Sequence, residues 1–133
     1  MVWYLDTSAF LKLVVAEKES GAVRAWLVDH GPPWSSQLLR TEALRAARRL
    51  DIDEEVVESA LQAVSLILPV ASTFHSAGTL PPPTLRSLDA LHLATALELG
   101  EDLDGLVTYD ERMAQAALAE SITVVAPTCP SED

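Results

Sequence analysis

Cysteine is nearly absent from this chain: Cys129, four residues from the C-terminus, is the only one. A single thiol makes no internal disulfide, so the fold must rest on a packed core, and the composition fits a reducing cytoplasm. Basic residues are also scarce, nine against 20 acidic, giving a formal net charge of −11 and a pI of about 4.5. That balance works against indiscriminate binding of nucleic acid, which needs a positive footprint. No apolar run approaches the ~18 residues that a membrane-spanning helix needs. The opening Met1-Val2-Trp3-Tyr4-Leu5-Asp6 has no basic segment and meets a charge at once, so no secretory signal is expected. His-Glu-x-x-His, P-loop, dinucleotide and nucleophile-elbow patterns are all missing, and nothing points to an organic cofactor.

What is present suits one globular domain over residues 1–133. Apolar residues make up 49% of the chain and the mean hydropathy is +0.19, values that argue against disorder. Short apolar runs alternate with longer helical stretches, the pattern of an α/β fold with a parallel sheet. Strands are expected at residues 2–5, 34–36, 69–71, 105–108 and 122–125. Helices are expected at 7–16, at 20–30 with Ser20 as cap, at 37–50, 53–68, 87–99 and 110–120. Core positions fall at Leu39, Ala43, Ala46 and Leu50, then at Val57, Leu61, Val64 and Leu68. Met113, Ala117 and Leu118 would pack the last helix, and Gly100 would end the helix before it. Pro81-Pro82-Pro83 marks a loop, and residues 127–133 read as a loose tail. Trp3, Trp26 and Trp34 are spread out and read as core side chains, not base-stacking platforms.

Four acids stand in strongly structured sequence. Asp6 ends the first apolar run and Asp110 follows Val107-Thr108-Tyr109. Open parallel sheets gather ligands beyond the carboxyl ends of their strands, yet helix capping accounts for both residues equally well. Asp89 starts a helix with little polar surface, where the positive first turn and Arg86 three residues earlier also explain it. Glu42, taken alone, is a polar position on an amphipathic helix. Only a fold can unite four acids so far apart in sequence. Two like charges ~4 Å apart repel by ~4 kcal/mol at an effective dielectric of about 20, so such a cluster needs a counter-charge. Oxygen donors alone suit Mg²⁺ or Mn²⁺. His92, three residues after Asp89, reads as a helix-packing histidine ahead of a metal ligand. Arg40, Arg45, Arg48 and Arg49 surround Glu42 as a local basic rim, which can hold a phosphate chain even on an acidic protein.

Four segments together resemble the PIN domain, specifically the VapC-type toxins of bacterial toxin–antitoxin pairs. They are Leu5-Asp6-Thr7-Ser8-Ala9, Arg40-Thr41-Glu42, Ser87-Leu88-Asp89-Ala90-Leu91-His92-Leu93-Ala94-Thr95-Ala96, and Thr108-Tyr109-Asp110 with Arg112-Met113-Ala114. The resemblance covers nearly the whole chain. It implies a three-layer α/β/α sandwich around a five-stranded parallel sheet. It also implies Mg²⁺- or Mn²⁺-dependent endoribonuclease activity, with Asp6, Glu42, Asp89 and Asp110 as the catalytic and metal-holding quartet. Ser8 and Thr108 would support that quartet, while Arg86, Arg112 and Arg45 are candidates for phosphate contact. A VapB-type antitoxin, an RNA substrate and a homodimer are the partners implied, with no membrane. Two departures stand out: Glu111 where relatives often carry a basic residue, and Glu120-Ser121 in place of a frequent glycine turn.

Rivals fit less well. A phosphoacceptor receiver domain needs a late lysine, and the only lysines are Lys12 and Lys18. A metal-dependent adhesion module, which would bind metal without catalysis, needs a second serine where Phe10 stands. A PIN nuclease working in RNA processing outside any toxin pair is the nearest alternative.

Overall fold

The computed structural model describes residues 1–129. Strands β1 (Trp3–Leu5), β2 (Trp34–Ser36), β3 (Ser65–Ile67), β4 (Gly105–Val107) and β5 (Val124–Val125) form one parallel sheet. Their order is β3-β2-β1-β4-β5. Parallel neighbours need crossover connections, usually helical. Helices α1 (Thr7–Val14) and α2 (Ser20–His30) join β1 to β2, and α3 (Leu38–Leu50) and α4 (Glu54–Gln62) join β2 to β3. Helices α5 (Ala71–Gly78) and α6 (Ser87–Leu97) lead to β4, and α7 (Glu111–Ala119) leads to β5.

The period-two alternation of strand side chains divides the core between the two faces. Tyr4 and Leu106 pack with Leu93 of α6 and Met113 and Ala117 of α7. Their neighbours Leu5 and Val107 pack with Ala9 of α1 and Val23 of α2. Phe10, Leu39, Ala43, Val57 and Leu61 tie α1, α3 and α4 into a further cluster. The result is the α/β/α sandwich with a five-stranded parallel sheet that the resemblance implies.

Gly105 is required where β1 meets β4. A Cβ there would lie 2.4 Å from the Trp3 ring and 2.6 Å from the Thr123 carbonyl oxygen. With Gly105 in place, Trp3, Tyr4 and Leu5 pair with Gly105, Leu106 and Val107, which sets Asp6 level with Thr108. The chain builds outward from β1 through β2 to β3, then returns to β4 on the other side of β1. The crevice at the carboxyl ends of β1 and β4 is therefore the topological switch point, where ligands of such sheets bind.

Several elements differ from the expectations. The helix expected over 53–68 stops at Gln62, and the strand expected at 69–71 lies instead at Ser65–Ile67. A short apolar run such as Leu66-Ile67-Leu68 fits a buried helix or a buried strand equally, and pairing with β2 decides it. Val57, Leu61 and Val64 are buried as expected, but Leu68 is 73% exposed because it lies beyond β3. Residues 71–78 form α5, held to α6 by the Thr73 hydroxyl, which donates to Glu98 Oε1 at 2.7 Å. Leu39, Ala43 and Ala46 are core, whereas Leu50 ends α3 half exposed, just before Asp51 turns into the left-handed region. Met113 and Ala117 are core and Leu118 is exposed.

Ser20 does not cap α2. Its hydroxyl accepts from Glu17 N–H and donates to the Val15 carbonyl, pinning the α1–α2 turn. Helix α6 ends at Leu97, and Gly100 opens a short 3₁₀ turn. Residues 127–129 of the expected tail are attached to the body. The Tyr109 hydroxyl donates to the Pro127 carbonyl at 2.6 Å, and Cys129 contacts the Lys18 carbonyl. The rest of that tail, residues 130–133, lies outside the described residues.

Candidate active site at the carboxyl ends of the central strands

Asp6 both caps a helix and anchors the site. Its Oδ1 accepts from Ala9 N–H at 3.0 Å and from the Ser8 hydroxyl at 2.6 Å. Its Oδ2 accepts from the Thr108 hydroxyl at 2.5 Å. Asp6 is 3% exposed, and burial pushes its carboxyl above the ordinary range although Ser8, Thr108 and Ala9 pull it back. Ser8 Oγ also accepts from Tyr109 N–H, and Thr108 Oγ1 accepts from Asp110 N–H. The two hydroxyls thus fasten Asp6 to the turn that carries Asp110.

Asp110 caps α7 through Oδ1, which accepts from Arg112 N–H at 2.9 Å and Met113 N–H at 3.0 Å. Its Oδ2 faces the Arg86 guanidinium at 3.6 Å. Asp89, in the first turn of α6, lies 3.4 Å from the same guanidinium. Burial raises the Asp89 carboxyl, Arg86 opposes that, and the negative charge of Asp110 raises it further. Asp89 and Asp110 therefore share one electrostatic neighbourhood.

Glu42 is more than a surface position. Its Oε1 accepts from the Thr7 hydroxyl at 2.7 Å and is 2.6 Å from His92 Nε2. The His92 Nδ1 lies 2.7 Å from the Tyr4 hydroxyl. Burial pushes the Tyr4 phenol upward, so it stays protonated and donates to Nδ1. Glu42 can only accept, so Nε2 donates to it; when the imidazole is neutral its Nδ1 accepts from the Tyr4 hydroxyl. Burial raises the Glu42 carboxyl, but His92 and Thr7 outweigh it and hold the group below the ordinary range. His92 is 1% exposed with both ring nitrogens engaged, so it positions Glu42 and has no lone pair left for a metal. Sequence reasoning gave no role to Tyr4, offered Thr7 only as an alternative helix cap, and read His92 as packing. The available signal was polarity: a buried imidazole in an apolar helix must find partners.

The arginines divide. Arg86 lies among the acids. Arg112 is exposed and lines a groove of about 540 Å³ with Pro81, Pro82, Thr84 and Gln115, beside Asp110. Arg45 is exposed on α3, one turn beyond Glu42. Arg40 and Arg48 pair with Glu58 and Glu54 of α4, at 3.6 and 3.1 Å, so they brace two helices.

The donors fit a hard divalent cation in kind: carboxylate oxygens from four elements, hydroxyls beside them, and a positive group already between two of the acids. They are not closed around a common point. Among the described residues, no three His, Cys, Asp or Glu side chains converge closely enough to cage an ion as they stand.

Residues 3–119 match the PIN domain family. Ribonuclease VapC46 of Mycobacterium tuberculosis is 44% identical over 128 residues, covering 94% of this chain and 97% of that protein. Ribonuclease VapC35 of the same organism is 42% identical over 135 residues, covering 93% and 96%. The crystal structure of M. tuberculosis VapC20, described as a sarcin–ricin loop cleaving toxin, superposes with a TM-score of 0.74 at 16% identity. That likeness covers 94% of this chain and 99% of VapC20, and it speaks to the fold. The acids at the switch point, the match over most of the chain and the similarity to named VapC proteins agree: this chain belongs to the PIN-domain family, among its VapC members.

Proposed function

We propose that this chain, as a single domain over residues 1–133, is the toxin of a VapBC-type pair. It hydrolyses RNA phosphodiester bonds in the cytoplasm and so arrests translation and growth. The observation that carries the reading is the level placement of Asp6 and Thr108 at the switch point, with Asp110 and Asp89 grouped about Arg86 beside them. Similarity to proteins named ribonucleases supports the choice of RNA. No helix among the described residues is long and apolar enough to cross a membrane.

Asp6, Glu42, Asp89 and Asp110 would hold Mg²⁺ or Mn²⁺, which supplies charge neutralisation at the phosphate and activation of water when bound. The chain's own residues do the rest. Ser8 and Thr108 fix both oxygens of Asp6. Thr7 and His92 fix Oε1 of Glu42 and leave its other oxygen available. Arg112 and Arg45, both exposed, would take phosphates flanking the scissile bond. A basic segment of a VapB-type antitoxin would oppose the acidic cluster. Exposed Leu68, Val70 and Phe74 offer apolar surface for a second copy of the chain.

The test is cleavage of a short single-stranded RNA by the purified protein in chelator, and after adding back Mg²⁺ or Mn²⁺. Cleavage only in the presence of metal is expected, and undiminished cleavage in chelator refutes the metal role. Growth arrest on expression, relieved by the product of a small adjacent gene, separates a toxin from a PIN nuclease with another task.

A further inference from the structure

Arg86 reads from the sequence as a phosphate contact or as a partner for Asp89, and its guanidinium lies against both Asp89 and Asp110. Its Nε is 3.4 Å from Asp89 Oδ2 and its Nη2 is 3.6 Å from Asp110 Oδ2. Its charge also reaches Glu42, whose carboxyl it helps to hold down. On Asp110 it faces the oxygen that capping leaves unused, since both cap bonds fall on Oδ1. One exposed cation thus meets two of the four acids.

The contact is built to be given up. Lys12, the other double ion pair among the described residues, meets Glu17 and Glu19 at 2.6 and 3.0 Å with its side chain only 14% exposed. Arg86 stands 0.4 to 1.0 Å farther from its partners and its side chain is 71% exposed (3.4 − 3.0 and 3.6 − 2.6). Exposed pairs of this length contribute little each, and the long side chain can swing without disturbing the fold. The oxygens it covers are the ones a divalent cation would need.

We propose that Arg86 is a resident counter-ion: it neutralises Asp89 and Asp110 before a divalent metal is bound, yields them to the metal, and then turns to an RNA phosphate. This inference rests on the metal-dependent nuclease reading given above. Arg86 is a positioning residue in the first state and a substrate contact in the second. The arrangement keeps the acids from repelling one another without metal, and frees a guanidinium when a phosphate needs one.

The experiment is a Mn²⁺ titration without RNA, by calorimetry, of wild type, Arg86→Ala and Arg86→Lys. It is paired with the RNA concentration giving half-maximal cleavage at saturating Mn²⁺. Arg86→Ala should bind Mn²⁺ about tenfold tighter, the worth of two exposed pairs no longer competing, and should need several-fold more RNA. Arg86→Lys should fall between. Unchanged or weaker Mn²⁺ binding by Arg86→Ala overturns the proposal, as does tighter metal binding with an unchanged RNA requirement. If wild type binds no Mn²⁺ at all, the metal reading itself fails and the proposal falls with it. If wild type binds Mn²⁺ and the variants match it, only the role of Arg86 is lost.

Discussion

Replacing Thr108 by Val removes one hydroxyl from the centre of the site while keeping the shape of a residue that is 1% exposed. That hydroxyl donates to Asp6 Oδ2 and accepts from Asp110 N–H. A hydrogen bond to a charged acceptor contributes about 1.5–3 kcal/mol, and a buried amide left unpaired costs about 1 kcal/mol more. The expected loss for the metal-free protein near neutral pH is therefore about 3 kcal/mol. At about 4 °C per kcal/mol for a chain of this length, Tm should fall by roughly 12 °C. The loss should also depend on pH. Burial already raises the Asp6 carboxyl above its unfolded value. Its contribution to stability is then fully present below the unfolded value and is lost as pH rises through the folded value. Without the Thr108 hydroxyl the folded value moves further up. The deficit of the variant opens as pH rises through the two folded-state values, and closes toward the lost amide contact of about 1 kcal/mol below them. The assay is thermal unfolding in chelator from about pH 8 down to about pH 3.5, through the ordinary carboxylate range near 4 and above it. A deficit that is the same at every pH, or one under about 1 °C, refutes the reasoning.

Other substitutions probe the same frame. His92→Leu strips Glu42 and Tyr4 of a shared partner, so Tm should fall by roughly 10 °C, at about 1–3 kcal/mol for each stranded group. His92→Gln, which can still donate to Glu42, should recover much of the metal affinity in a Mn²⁺ titration even where Tm stays low. Gly105→Ala forces β1, β4 and β5 apart against a Trp3 ring and a backbone carbonyl, and should cost about 3 kcal/mol or more in chemical denaturation. Arg112→Ala should raise the RNA concentration needed for half-maximal cleavage and lower its salt dependence by about 0.7 in the log–log slope, one single-strand phosphate contact.

The parts of this protein that sequence makes legible are those governed by local rules. Residues 3–5 and 105–107 are apolar runs, the first ended by Asp6 and the second followed within three residues by Asp110, and both become central strands. Helix α6 is apolar on most sides and proves buried, and Asp110 sits where a cap belongs and caps α7. The segment from Ala63 to Gly78 was misread because a three-residue strand pairs only with residues some thirty positions away, which period and propensity do not see. The same distance hid the second half of the site. Glu42 looks like a surface residue until α6 sets His92 against it, 50 positions on, and β1 sets Tyr4 behind that imidazole. Arg86 reads both as a phosphate contact and as a partner for Asp89; the fold makes the Asp89 pair and adds Asp110, which lies too far along the chain for local spacing to reveal.

The most direct test of the central claim, that the acids gathered about the switch point, Asp89 of α6 among them, perform metal-dependent RNA cleavage, is the cleavage rate of Asp89→Asn at saturating Mn²⁺. Asn keeps the size of Asp89 and its place in the first turn of α6 while removing one negative charge. The predicted result is a loss of more than about 100-fold, beyond the 10- to 100-fold typical of residues that only support metal ligands, with Tm within a few degrees of wild type. Cleavage by Asp89→Asn at the wild-type rate would contradict the account.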